Sequence, residues 1–479
     1  MLCACKATVG YGCAAIMCSR MTTVSANGSR GQADMTKQRQ MHLALFWLGT
    51  GNHSAGWRMP DANFSNSEWS FVEAGAQLAE RGKFDLFFVG DAVAMQLDLH
   101  PSFITRFEPT TLLAGLSRVT SKIGLGATVS TSFSEPYNVA RTFSSIDRMS
   151  NGRAAWNVVT STMDASALNF GGDRLKDHDL RYEIAEEFVD VVRGLWDTWD
   201  DGALVADRQR GIFVDPNKVR DLDHQGRFYS VKGALNIERC PQGHPIIIQA
   251  GGSESGQELS ARIADVVFSP INGDLESAKA KYENLKARLP KYGRERHELA
   301  ILPGIMPMIA DSAEQAREEL AQLQEWLKAN DQTVRSVLTK RLGRDVSSYD
   351  LDAPIPELPP TNLGQSFAQT LLDRARREHM TFRDLYNVAA AARGHWAVCG
   401  TATQVADILE EWFVAGAGDG FMILPAHFPR SLEVFVERVV PELQRRGLFR
   451  LDYSGTTLRD HLGLKRPPPK VRAGASPRH

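Results

Sequence analysis

The stretch PIIIQAGGSESGQELSARIADVVFS, residues 245–269, sets the pattern for the whole chain. Its opening, 245–250, is a bare apolar run of the kind buried on both faces of a parallel sheet. The run breaks into Gly251-Gly252-Ser253-Glu254-Ser255-Gly256. A helix face carried by Leu259 and Ile263 follows and leads to a second buried strand at 265–269. A strand that runs into a Gly/Ser turn at a helix start presents free N–H groups and hydroxyls, which suits a phosphate. An ordinary strand-to-helix connection accounts for the turn equally well.

Outward from this unit the alternation repeats. Apolar strands are expected at 43–47, 84–89, 123–129, 154–160, within 299–310 and at 420–424. Between them lie amphipathic helices. One spans 68–81, with Trp69, Val72, Ala76 and Ala79 on its apolar face and Gly82 as its stop. A second carries Leu112, Leu116 and Val119, a third starts at Pro136, where a first-turn proline belongs, and a long one covers 180–199. Further helices are expected at 314–327, from 403 onward and at 432–444. Eight strands alternating with eight helices predict a (β/α)8 TIM barrel, with insertions after helix four and between helix seven and strand eight. An open doubly wound sheet is the alternative; eight repeats and two insertions favour closure. The insertions are excursions at about 200–244 and 329–400, the second holding DAPIPELPP and a helix at 368–377.

These elements place one barrel domain at 41–450, between a disordered leader, 1–40, and a basic, Pro-rich, largely disordered tail, 451–479. The leader holds Cys3, Cys5, Cys13 and Cys18, leaving Cys240 and Cys399 for the rest. Their spacing is poor for zinc. A signal peptide ending near Val24-Ser25-Ala26 competes with an unstructured leader from a start placed too early, since Met21, Met35 and Met41 offer later ones. The 479 residues are 43% hydrophobic and 23% charged, with a formal net charge of −2. Lysines and arginines are dispersed, which argues against nucleic-acid and anionic-membrane partners. No apolar run reaches the ~20 residues of a membrane span, and the body reads as cytoplasmic and reduced.

In a barrel the chemistry gathers at the C-terminal ends of the strands. There the sequence puts His53, Trp57 and Arg58, then Asp91, then Thr128, Ser130 and Thr131. Asn157, Thr160 and Ser161 follow, with His178 and Tyr182 one helical turn apart, and Ser253 and Ser255 after them. Each has a structural alternative: Asp91 as a cap, Thr128 and Asn157 as loop supports, His178 or Tyr182 as packing, Arg58 as a solvated charge. Paired carboxylates, His-x-His, His-Glu-x-x-His and Gly-x-Ser-x-Gly are all missing, so metal hydrolysis and acyl transfer lack their parts. No metal site is expected. A pocket of hydroxyls, amides and a Gly/Ser turn suits a phosphate-bearing organic cofactor that carries the reactivity itself.

Several motifs together resemble one family. They are FFVGDAVA (87–94), GLGATVSTSFSEPYNVART (124–142), WNVVTS (156–161), DHDLRYEIAEEFVDVVRGLW (177–196), QAGGSESGQ (249–257) and DGFMILP (419–425). The chain resembles the bacterial-luciferase-like flavin monooxygenases, in the branch of nitrilotriacetate monooxygenase component A and dibenzothiophene-sulfone monooxygenase. The resemblance covers roughly 41–448. It implies a (β/α)8 barrel that takes reduced FMN from a separate NADH-dependent flavin reductase. It further implies that O2 forms a flavin C4a-hydroperoxide, which passes one oxygen to a small organic substrate. The FMN contacts it implies are Asp91, Thr128, His178, Tyr182 and Ser253, with Asn157 at the ring edge. Gly252 departs from the larger residue expected there. No residue is assigned as catalytic acid or base, and a homodimer is expected.

The excursions are natural lids, and the loop of His53, Trp57 and Arg58 is expected to wall the substrate pocket, with Arg58 orienting a polar or anionic group. Two other readings stand beside this one: a deazaflavin-dependent dehydrogenase of the same fold, and a non-catalytic flavin-binding protein.

Overall fold

A computed structural model describes residues 39–469 except Phe64, Gln96, Asp98, Leu99, Asn272, 360–364 and Arg393. The readings placed on residues 1–38 lie outside the described residues. Eight parallel strands form the barrel: β1 (His42–Trp47), β2 (Leu86–Val89), β3 (Gly124–Ser130) and β4 (Ala154–Val159), then β5 (Ile246–Gln249), β6 (Val266–Pro270), β7 (Ala300–Ile309) and β8 (Gly420–Ile423). Each pairs with the next in sequence, and β8 pairs with β1, so the ring closes. The closed barrel, rather than the open sheet, is the observed architecture.

The strands are apolar on both faces because helices cover the outside and side chains fill the inside. Leu43, Leu45 and Trp47 of β1 join the outer core beneath the helices. Ala44 and Phe46 join a second core with Leu86, Phe88, Ile246 and Ile248. Inside the barrel, Phe88 lies 5.1 Å from Phe46 and 4.9 Å from Phe268, ring centre to ring centre. This aromatic plug leaves no room at Gly126, where a Cβ would stand 3.1 Å from Ile248 and 3.4 Å from Phe88.

The bottom of the barrel is locked by three aspartates, each just before an even-numbered strand. Asp85 accepts from the Leu43 N–H at 2.9 Å, Asp265 from Ile247 at 2.9 Å and Asp419 from Ile301 at 2.9 Å. Each also donates its own N–H to the carbonyl of that same residue. Cations neutralise them: Arg450 at Asp85, Arg459 at Asp265, Lys286 at Asp419. Before β4 the polarity is reversed. Arg153 stands there and gives its guanidinium to the carbonyls of Ser117, Thr120 and Ile123.

The first excursion contains two short hairpins, Leu204–Asp207 with Ile212–Val214 and His224–Gln225 with Ser230–Val231. Glu187 on the preceding helix anchors the second, accepting from His224 at 3.0 Å and from the Tyr229 N–H at 2.8 Å. The second excursion is richer than its sequence suggests. Besides Gln365–Arg377 it holds helices Asp331–Leu342 and Phe382–Ala392, and a strand, Trp396–Gly400, paired to the far half of β7. Its helices bury Leu338, Leu371, Leu372 and Leu385 in one shared core.

The expectation of a loose tail is corrected over 451–469. Leu458, Leu462 and Leu464 are buried there, and Arg459 reaches Asp265. In the last barrel helix a π-helical turn, Phe435–Val439, precedes Pro441, which has no N–H to continue the regular ladder.

Asp265 offers a direct test of the basal lock. Burial works against its ionised form, but Arg459 and Arg193 outweigh burial and hold its pKa below the ordinary carboxylate value. Asp265→Asn leaves those guanidinium groups without their counter-charge and should cost about 3–5 kcal/mol in urea unfolding.

Candidate flavin site

At the mouth of the barrel, β3 and β4 end side by side, with Thr128 opposite Asn157 in the register. Asn157 donates to the Thr128 hydroxyl at 2.9 Å, and that hydroxyl donates to the carbonyl of Val89 at 3.1 Å. This chain fixes both side chains. It leaves the Asn157 Oδ1 buried without a partner among the described residues. An idle buried acceptor is costly unless a ligand brings a donor.

Asp91 follows β2 and forms an ion pair with Arg106, Oδ1 to Nε 3.2 Å. Burial raises the Asp91 pKa, and Arg106 opposes that rise. Arg106 also donates to the carbonyl of Gly90 at 3.3 Å and lies over the Phe103 ring at 4.3 Å. It therefore pins the loop that presents Asp91. Nothing in the local sequence around Arg106 signals that role.

After β4 and its neighbour β5, two helices bring their N-termini to the Gly251–Gly256 turn. Ser253 caps Glu254–Ile263, its hydroxyl accepting from the Gly256 N–H at 3.2 Å. His178 opens His178–Trp196, and its ring lies 4.9 Å from that of Tyr182. Asp179 joins the two helices: it takes His178 Nδ1 at 2.9 Å and the Ser255 hydroxyl at 3.1 Å. The hydrogen bond from His178 lowers the Asp179 pKa, with Ser255 adding to it. A Cβ on Gly256 would meet Gly251 Cα at 2.8 Å and the Tyr182 hydroxyl at 3.0 Å, so glycine is required for this close approach. The buried Gln249 shapes the turn from below, accepting from the Gly251 N–H and from Ser260. Gln249 and Asp179 lie inside the motifs quoted above, but their roles are visible only in three dimensions.

The arrangement fits a flavin. Two positive helix ends and a glycine turn flanked by Tyr182 suit a phosphate. The idle Asn157 acceptor would suit an N–H of a bound planar ring. Asp91, Thr128, Asn157, His178, Tyr182 and Ser253 all belong to the C-terminal mouth. Most other hydroxyls there close loops instead: Thr131 donates to Val159, Ser132 to Thr160, and Ser130 pairs with Ser161.

His53, Trp57 and Arg58 do not share one wall. His53 is fully buried, its Nδ1 accepting from the Ala55 N–H at 3.1 Å. Trp57 is 46% exposed. Arg58 reaches the end of helix Ala313–Glu325, donating to the Trp326 carbonyl at 2.8 Å and lying over its indole at 5.2 Å.

Residues 45–419 match the model of the luciferase-like monooxygenase family. The chain belongs to that family. The N-acetyl-S-(2-succino)cysteine monooxygenase of Bacillus subtilis (strain 168) is 45% identical over 436 residues, covering 90% of this chain and 98% of the relative. Nitrilotriacetate monooxygenase component A of Aminobacter aminovorans is 41% identical over 457 residues, with 90% and 98% covered. Among solved structures, a riboflavin lyase with modified FMN and substrate riboflavin is similar, with a TM-score of 0.79 at 29% identity, over 90% of this chain and 97% of that one. The branch is the one its motifs resemble, and this monooxygenase is a reduced-flavin-dependent oxidoreductase. Among the described residues no helix is long and apolar enough to cross a membrane.

The buried histidines give the family member a pH signature. Burial, with His427 nearby, pulls the His53 imidazole down to about 3. Burial and Arg450 pull His461 down to about 4. An unfolded histidine titrates near about 6.5, so below that pH the unfolded chain binds more protons and stability falls. Each ring contributes up to about 1.4 kcal/mol per pH unit until its folded value is passed. Urea unfolding between about pH 7 and pH 5 should show this loss, and His53→Gln should flatten it.

Proposed function

We propose that this monooxygenase binds reduced FMN at the barrel mouth and oxygenates a small organic substrate there. The observation that carries the reading is the convergence of two helix N-termini on the Gly251–Gly256 turn beside Tyr182. The N–H groups of that turn, the Ser253 hydroxyl, Tyr182 and His178 would hold the FMN phosphate and ribityl oxygens. Thr128 and Asn157 would carry the ring edge, and Asp91 would stand at its approach. Bound reduced flavin supplies the electrons with which O2 is split, one atom going to the substrate and the other to water.

The chain's own contribution is positioning and exclusion of water. The plug of Phe46, Phe88 and Phe268 fills the barrel interior. The Asn157–Thr128–Val89 chain prevents the ring-edge acceptor from turning away. Arg58 ties the loop after β1 to the end of helix Ala313–Glu325, just before the second excursion. A relative named as component A supports supply of FMNH2 by a separate NADH-dependent flavin reductase. The working unit is proposed to be a homodimer in the cytoplasm, without nucleic-acid or membrane partners.

Anaerobic titration with photoreduced FMN, and in parallel with a reduced deazaflavin, tests the reading. Saturable binding of reduced FMN and weak binding of the deazaflavin are expected; the reverse order would favour the dehydrogenase. Tyr182→Phe and Asn157→Leu should each weaken FMN about tenfold or more, the effect of a lost hydrogen bond to a charged or buried group.

A further inference from the structure

Gln249 ends β5 beneath the Gly251–Gly256 turn and is 3% exposed. Its Oε1 accepts from the Gly251 N–H and, at 2.9 Å, from the Ser260 hydroxyl. These two contacts decide which way the amide is turned. A flipped amide would set its NH2 group against the Gly251 N–H, donor against donor. The Nε2 end is therefore the one left over, and it has no hydrogen-bond partner among the described residues. It is not remote from the turn. A Cβ on Gly251 would stand 2.8 Å from Oε1 and 3.1 Å from Nε2, so both amide atoms lie against that glycine.

Holding the turn needs only an acceptor at this position. A glutamate would supply one without an idle donor; the NH2 group is what glutamine adds. A buried donor left unmade costs stability until an acceptor arrives. The neighbourhood selects the kind of acceptor. Helices His178–Trp196 and Glu254–Ile263 both begin at this turn, and their positive ends favour an anionic oxygen. The hydroxyls of the turn itself are engaged elsewhere: Ser253 accepts from the Gly256 N–H at 3.2 Å, and Ser255 donates to Asp179 at 3.1 Å.

We propose that Gln249 is a phosphate-binding residue of the flavin site, its Nε2 donating to a phosphate oxygen while its Oε1 holds the turn. The proposal rests on the reduced-FMN reading above and adds a specificity to it. One buried amide both shapes the seat and favours a flavin that bears a phosphate over one that lacks it.

Anaerobic titration of the full chain with photoreduced FMN and with photoreduced riboflavin tests the proposal. Riboflavin carries the same ring and ribityl chain without the phosphate. The wild-type chain should bind reduced FMN about tenfold or more tightly than reduced riboflavin, as hydrogen bonds to a charged group require. Gln249→Glu keeps an acceptor for Gly251 and Ser260 but loses the donor. It should lower the preference about tenfold while changing riboflavin binding less than about twofold. Gln249→Met buries no charge, and its preference for FMN should also fall, which keeps the test valid where Gln249→Glu fails to fold. Equal affinity of the wild-type chain for the two flavins would overturn the proposal. So would an unaltered preference in a folded variant, including one that weakens both flavins alike, and the flavin reading would then stand. A wild-type chain that binds neither reduced flavin would overturn the flavin reading, and the proposal with it.

Discussion

Everything at the mouth depends on how the bottom of the barrel is closed. Asp85, Asp265 and Asp419 each grip both backbone groups of a residue on the neighbouring odd-numbered strand, N–H by carboxylate and C=O by N–H. A one-residue slip would turn inward side chains outward, so these grips fix register at the point where each pair starts. Ion pairs alone are weak evidence for stability when buried. Here the carboxylates also satisfy backbone donors, and Arg450 and Arg459 tie the segment after the last barrel helix to the same floor.

The two ends of the barrel treat polar groups differently. At the bottom, Arg153 donates to the Thr120 hydroxyl and to the carbonyls of Ser117, Thr120, Ser150 and Ile123. At the mouth, Asn157 keeps an idle acceptor, and two helix N-termini face each other across a turn held together by Asp179 and Gln249. The aromatic plug separates these regimes. Polar groups left idle above a dry floor are what a planar, phosphate-bearing cofactor needs.

Most of the barrel was legible in the sequence because strands buried on both faces read as short apolar runs, and their helices carry single apolar stripes. The second excursion was less legible. In Asp331–Leu342 the buried Val334, Val337, Leu338 and Leu342 alternate with Arg335, Lys340 and Arg341, and their partners are other excursion helices far along the chain. The 451–469 segment was hidden by the basic, Pro-rich composition that follows it, although Leu458 and Arg459 anchor it firmly. At the proposed site, Asp91, Thr128, Asn157, His178, Tyr182 and Ser253 were singled out through motifs. Arg106 and Gln249 were not assigned roles, because each acts on backbone or side chains that meet it only after folding. Arg58, expected from the sequence to orient the substrate, donates to the Trp326 carbonyl, a partner the local sequence does not signal.

The central claim is that the mouth holds reduced flavin in a space closed to water. Its most direct measurement is to mix the anaerobic complex with photoreduced FMN against oxygenated buffer and follow the return of oxidised-flavin absorbance. A return delayed well beyond that of free reduced FMN is the predicted result. A return as fast as that of the free flavin, from a complex shown to be saturated, would contradict the account.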